Sequence, residues 1–154
     1  MEKGDEKEPI RIGAAYELAA IKDQVLAKEL LRQALLNERE SVRRAGTYGL
    51  VALDTAAEDV FLEAIKSPIK WLRKAGIYGL GEVSILNKEI FEAVKNCLLE
   101  DPSKYVRSVA AGSLGCLGRR TIASGQGLEW IPKCIEVLIQ SLQQEENRLS
   151  MDRV

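Results

Sequence analysis

Val42-Arg-Arg-Ala-Gly-Thr-Tyr-Gly-Leu50 and Leu72-Arg-Lys-Ala-Gly-Ile-Tyr-Gly-Leu80 are two copies of one pattern. Two further copies align with them without gaps, Ile10-Arg-Ile-Gly-Ala-Ala-Tyr-Glu-Leu18 and Val106-Arg-Ser-Val-Ala-Ala-Gly-Ser-Leu114. Their arginines, Arg11, Arg43, Arg73 and Arg107, lie 32, 30 and 34 residues apart, each preceded by an apolar residue and followed seven positions later by leucine. A period in this range marks stacked supersecondary units, each too small to bury its own apolar face.

Each copy reads as a helix. Val42, Ala45, Gly46, Gly49, Leu50 and Leu53 fall at i, i+3, i+4, i+7, i+8 and i+11, a single stripe of helical period. A second periodic stretch precedes each of the last three copies. The turn signals Asn37-Glu-Arg-Glu-Ser41, Ser67-Pro68 and Asp101-Pro-Ser103 separate the two stretches. Proline directly after Ser or Asp suits the first turn of a helix, where its missing N–H costs little. The unit is therefore helix A, short turn, helix B, and the predicted fold class is all-α, a solenoid of antiparallel helix pairs.

This reading divides the chain into a polar leader at 1–8, a lone B helix at 9–21, and pairs at 23–53, 56–83 and 87–118. A long loop is expected at 119–127 and a partial unit at 128–154, where residues 145–154 resemble a second helix beginning. Nine of the twelve glycines fall in the B segments. Glycine inside a helix costs roughly 1 kcal/mol relative to alanine, so the recurrence predicts close helix approach, above all at Gly46 and Gly76. Gly118 is expected to end its helix.

Composition narrows the function classes. A chain of 154 residues with 46% apolar residues can bury a core, and its net charge of −1, with both signs interspersed, argues against a nucleic-acid footprint. No apolar run approaches the ~20 residues that span a bilayer, and Met1 to Pro9 is too polar for a signal peptide. The three cysteines, Cys97, Cys116 and Cys134, form no Cys-x-x-Cys pair. They read as buried small hydrophobes in a reducing cytoplasm. Histidine is absent, which removes Ser-His-Asp and Cys-His catalysis and the commonest metal ligand. No metal or cofactor is expected.

A turn of the type Asp-Pro-x followed by Val-Arg and Leu-Gly on the next helix resembles the HEAT-like repeats. It lies nearest the short subclass of phycobilisome lyases and bacterial scaffolds. Asp101-Pro102, Val106-Arg107 and Leu114-Gly115 carry the best match, Leu80-Gly81 also fits, and the resemblance covers about residues 9 to 144. It implies a ladder in which turn acids meet B-helix arginines, here Arg11, Arg43, Arg73 and Arg107 with Asp101. Asn37 and Ser67 stand where further acids belong, so the implied ladder is weakened. The resemblance also implies an alternative function, a component of an E/F-type phycobilin lyase or a related chromophore-protein maturation factor, although no lyase-specific residue is recognised.

Function in stacked helical pairs resides on the surface formed by the B helices. At about 100° per residue, Arg44 and Thr47 point away from the buried stripe and Tyr48 flanks that outer face. Lys74, Ile77 and Tyr78 are their equivalents, and Tyr16 shares the tyrosine register. Tyrosine combines contact area with a polar tip at low entropic cost, so Tyr16, Tyr48, Tyr78, Arg44, Lys74, Thr47 and Ile77 are the candidate partner-binding residues. Alternatively, the three rings pack against the neighbouring B helix. Trp71 and Tyr105 read as covers of the hairpin turns.

The expected activity is that of a non-catalytic protein–protein interaction scaffold in the cytoplasm, binding a partner segment along the concave B-helix surface. Neither nucleic acid nor membrane is expected as a partner, since Arg44 and Lys74 have no cationic counterparts at Ile12 or Ser108. Self-association through incomplete terminal units is a further expectation.

Overall fold

Asn37, Ser67 and Asp101 hold equivalent places in three tight turns, and all three turns close alike. The Asn37 side-chain oxygen accepts from the Arg39 N–H at 3.0 Å, Ser67 Oγ from Ile69 at 3.1 Å, and Asp101 Oδ1 from Ser103 at 2.8 Å. Such local bonds reverse a chain where a helical bond would extend it. A computed structural model describes residues 7–152. It contains helices α1 (Glu8–Ala19), α2 (Gln24–Leu35), α3 (Glu40–Ala52), α4 (Glu58–Ala64), α5 (Lys70–Val83), α6 (Lys88–Glu100), α7 (Lys104–Ser124) and α8 (Ile131–Met151). Single 3₁₀ turns occur at Asp54–Ala57 and Leu128–Trp130. The fold is all-α, with no strand among the described residues. The leader expected at 1–8 lies outside the described residues up to position 6, and Glu8 already belongs to α1.

Consecutive helices pair: α2 packs on α3, α4 on α5 and α6 on α7. The B helices α1, α3, α5 and α7 also touch in succession, and α8 rests against α6 and α7. Side chains cap two of the A helices, Asp23 accepting from the Leu26 N–H and Asn87 from the Ile90 N–H. The buried apolar residues from Ala15 on α1 to Val137 on α8 form one connected cluster.

The B-helix glycines set how closely the pairs approach. A Cβ at Gly46 would stand 2.7 Å from the Leu35 nitrogen and 2.9 Å from the Ala34 carbonyl carbon. One at Gly76 would stand 2.8 Å from the Phe61 carbonyl oxygen. Backbone cannot swing aside as a flexible side chain can, so the helices would have to separate. Gly46→Ala is expected to destabilise by about 1–2 kcal/mol, overpacking outweighing the helix-propensity gain. Gly112, with nothing within 4 Å of its Cβ position, provides the opposite case. Gly112→Ala is expected to stabilise by up to about 1 kcal/mol. Urea denaturation of the two variants checks both signs.

Two expected boundaries are corrected. The stretch 119–127 is not one long loop, because α7 continues through Gly118 to Ser124. Arg120 explains the extension: its Nη1 donates to the Gly81 and Glu82 carbonyls at the end of α5, at 2.9 and 2.6 Å, while Thr121 is buried. The helix ends instead at Gly125, whose φ of 70° a side chain rarely tolerates. Likewise no second helix begins near 145, since α8 runs unbroken to Met151.

Candidate functional site

The four B-helix arginines were expected to serve a ladder, and three of them share one anchor. Nη1 of Arg43 donates to the Asn37 and Glu38 carbonyls, that of Arg73 to Ser67 and Pro68, and that of Arg107 to Asp101 and Pro102. Each guanidinium thus satisfies carbonyls of its own A–B turn, groups that helix A leaves without partners. The opposite edge reaches the next unit. Arg73 places Nε and Nη2 on the Asp101 carboxylate at 2.7 and 3.1 Å, and Arg107 does the same to Glu145 at 2.6 and 3.1 Å. Glu145 fills the role of a turn acid from within α8, and its sequence context, a helix rather than a turn, concealed it. Arg11 occupies the same register on α1.

Burial alone would raise the Asp101 pKa. The hydrogen bonds from Arg73 and the Ser103 N–H outweigh it, helped by the charges of Arg73 and Arg107, and hold the carboxyl below its ordinary value. Glu145 is held down chiefly by its bond from Arg107, with Arg148 adding to it against the opposing effect of burial.

A trough of about 510 Å³ opens across α3, α5 and α7. Glu40, Arg43, Arg44, Thr47 and Tyr48 line it from α3, Lys70, Trp71, Lys74, Ala75 and Tyr78 from α5, and Tyr105 and Val109 from α7, with Ser103 beside them. Three of the four tyrosines and one of the two tryptophans therefore share one cavity. The Tyr48 and Tyr78 rings meet edge to face, 6.3 Å between centroids at 87°, a geometry aromatic quadrupoles favour. Arg43 lies over the Trp71 ring at 4.1 Å, and Lys70 and Lys104 flank Tyr105 at 6.0 and 5.4 Å. Burial pushes the Tyr78 hydroxyl up, with the Glu82 carboxylate adding to the effect, so the phenol stays neutral at physiological pH.

Of the candidate partner-binding residues, Tyr48, Tyr78, Arg44, Lys74 and Thr47 come together here. Tyr16 does not, standing 48% exposed on α1 outside the cavity. Ile77 is corrected: it is 0% exposed and presents nothing to a partner. Thr47, though it lines the trough, is only 8% exposed and returns its hydroxyl to the Arg43 carbonyl. A B helix is covered on two sides, by its own A helix and by the neighbouring B helix, so the supposed outer register is interior. Ala15, at the same register on α1, is buried as well, and Ser113 Oγ seals α7 to α5 by donating to the Ile77 carbonyl at 2.9 Å.

Among the lining residues that sequence reasoning assigned elsewhere or passed over are Arg43, placed in the ladder, Trp71 and Tyr105, read as turn covers, and Lys70. Their signal was present. Trp71, Ala75 and Tyr78 stand at i, i+4 and i+7, one helical face, and Lys70 precedes Lys74 by one turn.

Two of the three thiols are not activated: burial, with the Asp101 charge adding, pushes Cys97 up to about 11, and burial raises Cys134 as well. No group of three or more metal-ligating side chains occurs among the described residues, and no described helix is long and apolar enough to cross a membrane. Compared with protein-family models and with curated proteins, the chain has no match.

Proposed function

We propose that this chain is an α-solenoid of HEAT-like helical pairs acting as a non-catalytic interaction module, which receives a segment of a partner protein in the trough across its B helices. The single observation that carries this reading is the trough itself. Aromatic rings from three successive B helices converge there, each at least partly open to solvent. Tyr and Trp are the side chains enriched at binding hot spots, and Tyr105 is left 58% exposed beside the cavity. The lining supplies ring faces and cations, and its acid, Glu40, is engaged by Arg44 at 3.0 Å. That set suits recognition better than bond making, for which a nucleophile and a base must meet.

The pair Tyr105→Ala and Lys74→Ala tests it. Both side chains are exposed, so their joint removal is expected to leave thermal stability nearly unchanged, within about 0.5 kcal/mol for each. Proteins captured by the wild-type chain and released by the double variant identify partners of the trough. Identical capture by both proteins would remove the trough from consideration.

A further inference from the structure

The charge of the trough is lopsided, and turn chemistry explains why. In two units a carboxylate from the next unit fills the Nε–Nη2 edge of the B-helix arginine, Asp101 on Arg73 and Glu145 on Arg107. Arg43 is anchored like its sisters through Nη1. The position equivalent to Asp101 in its next unit is Ser67, however, and the single side-chain oxygen there already closes its own turn. Among the described residues no carboxylate lies on Arg43, Lys70 or Lys74. All three line the trough. The opposing acids are spoken for, since Arg44 holds both Glu40, at 3.0 Å, and Glu8, at 2.6 Å.

We infer that the occupant of the trough is an acidic linear segment of a partner protein. One of its carboxylates takes the open fork of Arg43 as Asp101 takes that of Arg73, further carboxylates meet Lys70 and Lys74, and apolar side chains lie on Trp71 and Tyr105. This rests on the trough being the binding face. A planar guanidinium and a carboxylate make paired, charge-assisted hydrogen bonds that a point charge cannot reproduce, and the ring at its back keeps Arg43 in place. Three neighbouring helices at 8–10 Å spacing span about 18 Å, the length of roughly five or six extended residues. Cationic guests, which aromatic cages otherwise favour, are repelled by the same unpaired cations. A single-stranded nucleic acid would find rings to stack on, but the three carboxylate-free cations of the trough form a short cluster rather than the basic stripe that tracks a polyphosphate backbone.

The test pans a random nonapeptide library displayed on phage against the full chain, then measures a fluorescein-labelled enriched peptide by anisotropy. Asp and Glu are expected to be enriched. The affinity is expected to fall at least about tenfold in Lys70→Glu/Lys74→Glu and in Arg43→Ala, and to weaken as NaCl rises from about 0.05 to about 0.3 M. Arg43→Ala also frees turn carbonyls and can disturb folding, so Ser67→Asp supplies the independent arm. It restores the missing turn acid, fills the Arg43 fork from within, and is expected to weaken peptide binding while raising the thermal midpoint. Enriched peptides that are neutral or basic, yet lose binding in Tyr105→Ala, overturn the acidic chemistry and leave the trough as the binding face. Peptides indifferent to Tyr105→Ala and to the lysine changes overturn both. An oligouridylate that binds more tightly than any enriched peptide overturns the inference in favour of nucleic acid.

Discussion

Asp101→Ala is expected to lower the stability of the fold by about 3 kcal/mol, visible as a reduced urea midpoint at pH 7. The Asp101 side chain is 4% exposed and receives both Nε and Nη2 of Arg73, whose side chain is itself only 13% exposed. Removing one partner of a buried pair leaves the other charge uncompensated, a loss on the order of 3–5 kcal/mol. The lower end applies because Nη1 of Arg73 keeps its two turn carbonyls. Asp101→Asn separates the contributions. Asparagine closes the equivalent turn at Asn37, so this variant retains the bonds that Oδ1 accepts from Ser103 and Arg73 Nη2 but loses the charge and the bond from Arg73 Nε, which its amide NH2 would meet donor to donor, and it should cost about 1 kcal/mol less than alanine.

The same carboxylates govern the response to acid. The pKa values of Asp101 and Glu145 are lowered in the folded chain, so the stability they contribute is complete above their unfolded values and lost as pH falls through the folded ones. Stability should therefore decline below about pH 4, and more shallowly in Asp101→Asn. A wild-type acid profile matching that of the variant would show that the pair contributes nothing.

Phe61→Ala carries the other large effect, about 4 kcal/mol. Phe61 is fully buried on α4, and its ring lies against α5 where a Cβ at Gly79 would stand 2.3 Å from it. The surrounding helices are held by their own turns and arginines, so the space vacated by the ring cannot close completely. The two positions should therefore couple. Gly79→Ala alone is expected to destabilise by about 1–3 kcal/mol as the ring is displaced. In the Phe61→Ala background, where the obstacle is gone, it should be neutral or stabilising through helix propensity. A double-mutant cycle that sums without an interaction term would place the ring elsewhere.

Much of this architecture was legible because it rests on residue types with few substitutes. Arg11, Arg43, Arg73 and Arg107 recur since the anchored ones must reach carbonyls of a turn at a fixed distance. Asn37, Ser67 and Asp101 align because each can return an oxygen to the chain two residues on. Gly46 and Gly76 recur where helices nearly touch. What escaped depended on neighbours distant in sequence. Gly118 looked like a helix end, but Arg120 finds the end of α5 and carries α7 past it. Thr47 and Ile77 looked outward because periodicity describes one covered stripe, and these helices have two. The aromatic wall was half visible: Tyr48 and Tyr78 share one register between units and Trp71 and Tyr105 another, whereas the convergence of both pairs on one cavity depends on how the helices pack.

The serine at position 67 also bears on how the units are joined. Ion pairs clasp α5 to the Asp101 turn and α7 to α8, but α3 meets α5 through ring contacts, the Arg43–Trp71 stack and, one layer away, the exposed α2–α4 pairs Lys28–Asp59 and Arg32–Glu63. Exposed pairs resist little. Among the described residues the α3–α5 seam is therefore joined by side-chain packing without an ion-pair clasp of that kind, and the seam forms the floor of the cleft. A guest that brings its own carboxylate to Arg43 would supply the clasp that Ser67 omits, so its binding is expected to raise the thermal midpoint through mass action.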